Sequence, residues 1–97
     1  MLKYLALYSA SNEPTPEMTP EEGQAMLQAW LDWRDGAGDA IVDFGAPTVP
    51  ASEGASSVGG YSIVRAASVD ALDAIFESNP HRRKGGTVEF HEILDIG

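Results

Sequence analysis

The chain contains no cysteine. That absence removes disulfides, thiolate metal centres and a cysteine nucleophile together, and nothing in the chain calls for an oxidising compartment. Basic residues are scarce as well: 6 Lys and Arg stand against 15 Asp and Glu, and a net charge of −9 repels a phosphate backbone. Nucleic acid is therefore not an expected partner. No apolar run reaches the length of a membrane helix, and Met1 to Tyr8 leads into a strand without the apolar core of a signal peptide. The expectation is a cytoplasmic protein with no membrane association. A phosphate-cradling glycine loop is missing too, since Gly59-Gly60 precedes a strand rather than a helix. So is a serine elbow, since Ser56-Ser57 lies in a loop with no histidine in a predictable relation. Histidine occurs only at positions 81 and 91, which leaves few groups for proton transfer near neutral pH.

What is present is a regular order of periodic segments: strand, helix, strand, strand, helix, strand. With 97 residues and 43% hydrophobic content, the chain can build one core but not two, so residues 1–97 are read as a single domain. The order implies an α+β fold, a ferredoxin-like βαββαβ sandwich with a four-stranded antiparallel sheet and two helices on one face. Leu2 to Tyr8 puts Tyr4, Ala6 and Tyr8 on one face and Leu5 and Leu7 on the other, so both faces look covered. Ser9 to Glu17 is a loop carrying Asn12, Pro14 and Pro16. Thr19-Pro20-Glu21-Glu22 is a capping box with proline at the first helical position, and the helix it opens aligns Met26, Trp30 and Trp33 until Gly36 and Gly38 end it.

Ile41 to Phe44 reads as a short strand closed by a Gly45-Ala46-Pro47 turn, and Pro47 to Gly59 as an exposed, mobile connection. In Gly60 to Ala66, Tyr61, Ile63 and Arg65 alternate with Ser62, Val64 and Ala66. Ser68 caps a second helix whose buried face is Val69, Leu72, Ile75 and Phe76, and Asn79-Pro80 stops it. The last strand, Thr87 to Ile93, turns Val88 and Phe90 to one face and Glu89, His91 and Ile93 to the other. Apolar residues on both faces of a sheet covered by helices on one side call for a second copy of the chain on the other, a homodimer.

Chemistry can be placed at a few residues, each with a plainer role beside it. Asp43, between Val42 and Phe44, is either a base in a site or an edge residue bonding the amides of the following turn. His81 and His91 are the proton donors available; His81 could equally satisfy helix-terminal carbonyls, and His91 could pair with Glu89 or Glu92. Tyr61 could orient a ligand or simply pack. Arg82, Arg83 and Lys84 hold half of the basic residues beside Gly85-Gly86, a loop able to hold an anion or simply solvated. Glu89 and His91 share a face without a third ligand, so neither a metal nor a cofactor is expected.

Gly59-Gly60-Tyr61-Ser62-Ile63-Val64, then Ala67-Ser68, Asn79-Pro80-His81 and Gly86-Thr87-Val88-Glu89-Phe90 together resemble the YCII-related proteins, in particular their DGPF-like branch. Leu2 to Tyr8 and Gly45-Ala46-Pro47 fit the same scheme. The resemblance implies a ferredoxin-like subunit that pairs through its sheets into a dimeric α/β barrel. It also implies a cofactor-free small-molecule enzyme or ligand-binding protein with a histidine and an aspartate at a cleft. Asp43 would serve as base or acceptor, His81 or His91 as donor, and Tyr61, Arg82 and Arg83 as ligand contacts. A non-catalytic dimeric interaction module, linked to transcriptional regulation, is the alternative.

Overall fold

A computed structural model describes residues 1–10 and 18–96. Most of the loop expected between the first strand and the first helix, 11–17, lies outside the described residues. The first strand, β1 (Leu2–Ser9), buries Tyr4, Ala6 and Tyr8 and leaves Leu5 and Leu7 half-buried on its other side. The first helix, α1 (Pro20–Ala37), starts as its letters dictate. Thr19 Oγ1 accepts the Glu22 N–H at 3.1 Å, and Gly38, at φ 55, ends the helix before a 3-10 turn over Gly38–Ala40.

The second strand, β2 (Ile41–Pro47), runs three residues beyond its expected end at Phe44, through the residues read as a turn. Its register against β3 (Val58–Ala66) slips between Ile41 and Asp43 and again between Asp43 and Ala46, so Gly45-Ala46-Pro47 is an irregular strand end and not a turn. Glycine makes this possible. Gly45 has φ 81 and lies so close to the Tyr61 carbonyl that a Cβ there would overlap it. The next helix, α2 (Val69–Phe76), is capped by Ser68, which accepts the Ala71 N–H at 3.3 Å; it buries Leu72 and Phe76 while Val69, expected inside, is 58% exposed. Asn79-Pro80 does more than stop that helix. It opens a further turn of helix, α3 (Pro80–Arg83), with proline at the first position and Asn79 as its cap. The last strand is β4 (Val88–Ile93).

The four strands pair antiparallel in the order β2-β3-β1-β4, which is compatible with a ferredoxin-like α+β fold. One sheet face is the core. Tyr4, Ala6, Tyr8, Val64 and Ala66 meet Trp33 from α1 and Leu72 and Phe76 from α2, with Trp30, Ile41, Phe44, Ile75, Val88 and Phe90 around them. The two helices are stitched together where Trp33 Nε1 donates to the Ile75 carbonyl at 2.9 Å, satisfying an acceptor that the last turn of α2 leaves open. Among the described residues, the opposite face carries no helix. There Leu5 pairs with Ile63 and Leu7 with Tyr61, flanked by Lys3, Arg65, Glu89, His91 and Ile93.

The two kinds of glycine in this chain should respond oppositely to alanine. Gly45→Ala forces a left-handed residue against the Tyr61 carbonyl and should destabilise the fold by about 2 kcal/mol or more. Gly23→Ala, inside α1 with open space at its Cβ position, should stabilise it by roughly 0.5–1 kcal/mol. Urea denaturation of both variants measures the contrast.

Candidate functional site

At one end of the sheet the strands, α1 and α3 leave a cleft of about 340 Å³, lined by Tyr8, Ser9, Leu27, Trp30, Phe44, Gly45, Ala46, Pro47, Gly59, Gly60, Tyr61 and His81. Its walls are mainly apolar and aromatic. Tyr8 stands edge-on to Trp30 with ring centres 5.1 Å apart, and Trp30 stands at 6.2 Å from Phe44, so the three rings pack into one aromatic wall of the cleft. Gly59 and Gly60 leave one wall without side chains. A Cβ at Gly60 would come within 3.4 Å of the Tyr8 ring and 3.2 Å of the Ala46 carbonyl.

Behind the cleft runs a buried chain of hydrogen bonds whose direction follows from its ends. Ser62 Oγ donates to the Phe44 carbonyl at 2.7 Å, which uses its only hydrogen. The Tyr8 hydroxyl, 2.8 Å away, therefore donates to Ser62 Oγ and in turn accepts from Asn79 Nδ2 at 3.3 Å. Asn79 Oδ1 accepts the N–H groups of His81 and Arg82 at 3.1 and 3.2 Å. Ser62 and Asn79 are fully buried, and among the described residues no buried side-chain polar atom lacks a partner. The chain links the strand wall at Phe44 to the turn that carries His81. Burial pushes the Tyr8 phenol above its ordinary value of 10.0, a shift that its bonds to Ser62 and Asn79 partly oppose.

His81 is held on three sides. Its Nε2 lies 3.1 Å from Ser9 Oγ, its ring lies 5.4 Å from that of Tyr8, and Gly86 packs so closely on the imidazole that any Cβ there would overlap it. Ser9 Oγ also accepts the Thr87 N–H at 3.1 Å, so the last residue of β1 joins the cleft to the start of β4. An imidazole and a hydroxyl thus face each other in an apolar cleft. That pair can exchange a proton with a bound molecule.

Of the residues singled out from the sequence, the structure brings His81 and Tyr61 to this cleft. Asp43 is exposed one residue outside it, and its Oδ1 accepts the Gly45 N–H at 2.8 Å, which stabilises the irregular end of β2. His91 lies on the open sheet face, 3.0 Å from Glu89. The basic loop divides its charges between two places. Arg82 pairs with Asp73 at 3.2 Å over the Phe90 ring, while Arg83 and Lys84 border a shallow depression against α1 that also contains Glu22 and Asp32. Among the described residues no cluster of three His, Asp or Glu could hold a metal ion.

Ser9, Tyr8, Ser62 and Asn79 went unmarked in the sequence, where they are a loop serine, a core tyrosine, a strand serine and a helix-stop asparagine; Ser9 is in fact the last residue of β1. The one available signal is that Ser62 stands in an otherwise apolar inward set with Val64 and Ala66. A buried hydroxyl in such a set needs a partner.

The hydrogen-bond chain generates a stability prediction with a definite sign. Because the folded-state pKa of Tyr8 is raised, its contribution is fully present below pH 10 and is lost as pH rises through the folded value. Urea midpoints should fall above pH 10, and Tyr8→Phe should flatten that fall while costing about 1–3 kcal/mol at neutral pH by stranding Ser62 and Asn79. A Tyr8→Phe variant with the unaltered alkaline slope would remove the phenol from this role.

No family model matches the chain, and none of the curated proteins is significantly similar to it. What the protein does has to be read from the site itself.

Proposed function

We propose that this chain is a cytoplasmic, YCII-related homodimer that binds a small aromatic molecule in the cleft and uses His81 to exchange a proton with it. The observation that carries the reading is the Ser9–His81 pair, 3.1 Å apart, facing a cleft of about 340 Å³ framed by Tyr8, Trp30 and Phe44. A pocket of this size buries most of a small ligand, its rings supply contact area, and the imidazole supplies orientation. His81 takes the proton-transfer role in preference to Asp43, whose carboxylate is engaged by Gly45. His91 is on the other side of the sheet and belongs to a different surface.

That other surface supports the dimer. Leu5, Leu7, Tyr61 and Ile63 are half-buried by their own chain and have no helix above them. Lys3 and Arg65 stand side by side at one end of this face and Glu89 at the other. A two-fold axis lying across the strands would set the basic end of one copy over the acidic end of its twin. Tyr61 belongs both to this face and to the cleft, so a partner laid on the sheet would approach the cleft mouth.

Two measurements test the reading. Small aromatic acids and phenols, screened by Trp fluorescence and amide shifts, should bind at Tyr8, Trp30 and His81, and His81→Ala should weaken them about tenfold, or 1.4 kcal/mol. Ligands absent or bound elsewhere would leave the non-catalytic interaction module as the better description. By light scattering the protein should have twice the chain mass of 10.3 kDa, and Leu5→Lys with Ile63→Glu should halve it. A concentration-independent monomer in the unaltered protein would end the dimer.

A further inference from the structure

Ser9 stands at the junction of β1, β3 and β4, and its hydroxyl has two neighbours that differ in kind. The Thr87 N–H donates to Oγ at 3.1 Å, which occupies one lone pair, and in the His81 tautomer with Nε2 unprotonated the hydroxyl hydrogen goes to that nitrogen at 3.1 Å. An activated alcohol needs a base at its hydrogen, which the imidazole supplies, while the Thr87 N–H fixes the oxygen beside it. The imidazole does not wander, because α3, the Tyr8 ring and Gly86 hold it. Nucleophile and base are thus pre-positioned by three separate elements of the fold.

We propose that Ser9 is a nucleophile and His81 its base for acyl transfer from small aryl esters, an inference that rests on the small-molecule reading of the cleft and specifies its chemistry. Ser9 Oγ attacks the acyl carbon as its hydrogen passes to His81 Nε2. The bond from the acyl carbon to the aryl oxygen then breaks, and the phenol leaves with the proton from Nε2. Water gives a proton to the same nitrogen, attacks the acyl-serine, and releases the carboxylic acid as Ser9 Oγ regains its hydrogen. The aryl leaving group would lie against the aromatic wall of Tyr8, Trp30 and Phe44, with the acyl carbon at Ser9, which lines the same cleft.

The probe is p-nitrophenyl acetate with the unaltered protein. Peptide mass mapping should find one acetyl group on Ser9 and a burst of nitrophenol, Ser9→Ala should lose both, and His81→Gln should slow the burst on the order of a hundredfold. A merely structural serine is separated by Ser9→Cys: in a chain without other thiols, its alkylation by iodoacetamide should be fast and should slow at least about tenfold when His81→Gln is added. Acetyl groups found only on lysines or the amino terminus would overturn the proposal, as would a Ser9→Cys thiol indifferent to His81. If phenols still bind the cleft while Ser9 stays unacetylated, the nucleophile falls and the binding site stands. If neither occurs, both fall.

Discussion

The buried run from Asn79 through Tyr8 and Ser62 to the Phe44 carbonyl is the constraint on which the site depends. Asn79, Tyr8 and Ser62 are buried, so each must keep its partner or leave a stranded polar group at a cost of about 1–3 kcal/mol. The same bonds therefore hold β2 to β3, and α3 to β1, at fixed distances. His81 inherits its position from that chain, because the asparagine that donates to Tyr8 also caps the turn on which the imidazole is mounted. Stability and site geometry come from the same few bonds.

The irregular end of β2 is the second device. A regular strand would carry its pairing with β3 through Pro47 without a slip, but the register shifts twice, and Gly45 comes in against Tyr61. Asp43 supports this by accepting the Gly45 N–H. Phe44 and the Gly45-Ala46-Pro47 end of β2 line the cleft together with Gly59, Gly60 and Tyr61 of β3. An aspartate outside the cleft still shapes it, through backbone geometry rather than through its charge.

Much of the fold was legible because local rules agree with one another. The Thr19 capping box, the Ser68 cap and the period-2 alternation of Tyr4, Ala6 and Tyr8 against Leu5 and Leu7 each have one structural solution at short range. The failures have physical reasons. Gly45-Ala46-Pro47 has turn composition, yet glycine at positive φ serves a bulge as well as a turn, and only the neighbouring strand decides between them. Asn79-Pro80 ends one helix and starts another because the same residues favour both boundaries. Of the site, His81 and Tyr61 could be marked as titratable or aromatic groups near turns. Asp43 and His91 share that character but are carried elsewhere, and Arg82 and Arg83, adjacent in sequence, are separated by the helical turn they occupy.

The letters alone determined the order of the four strands and the two longer helices, the starts of those helices and which strand residues share a face, since those follow from periodicities of two and 3.6 and from capping chemistry within a few positions. Only the tertiary structure decided that Ser9 meets His81, 72 positions away, and that Tyr8 meets both Ser62 and Asn79. Strand order and register are set by how whole faces pack, and a serine at a strand end looks the same in sequence whether a histidine or water stands opposite its hydroxyl.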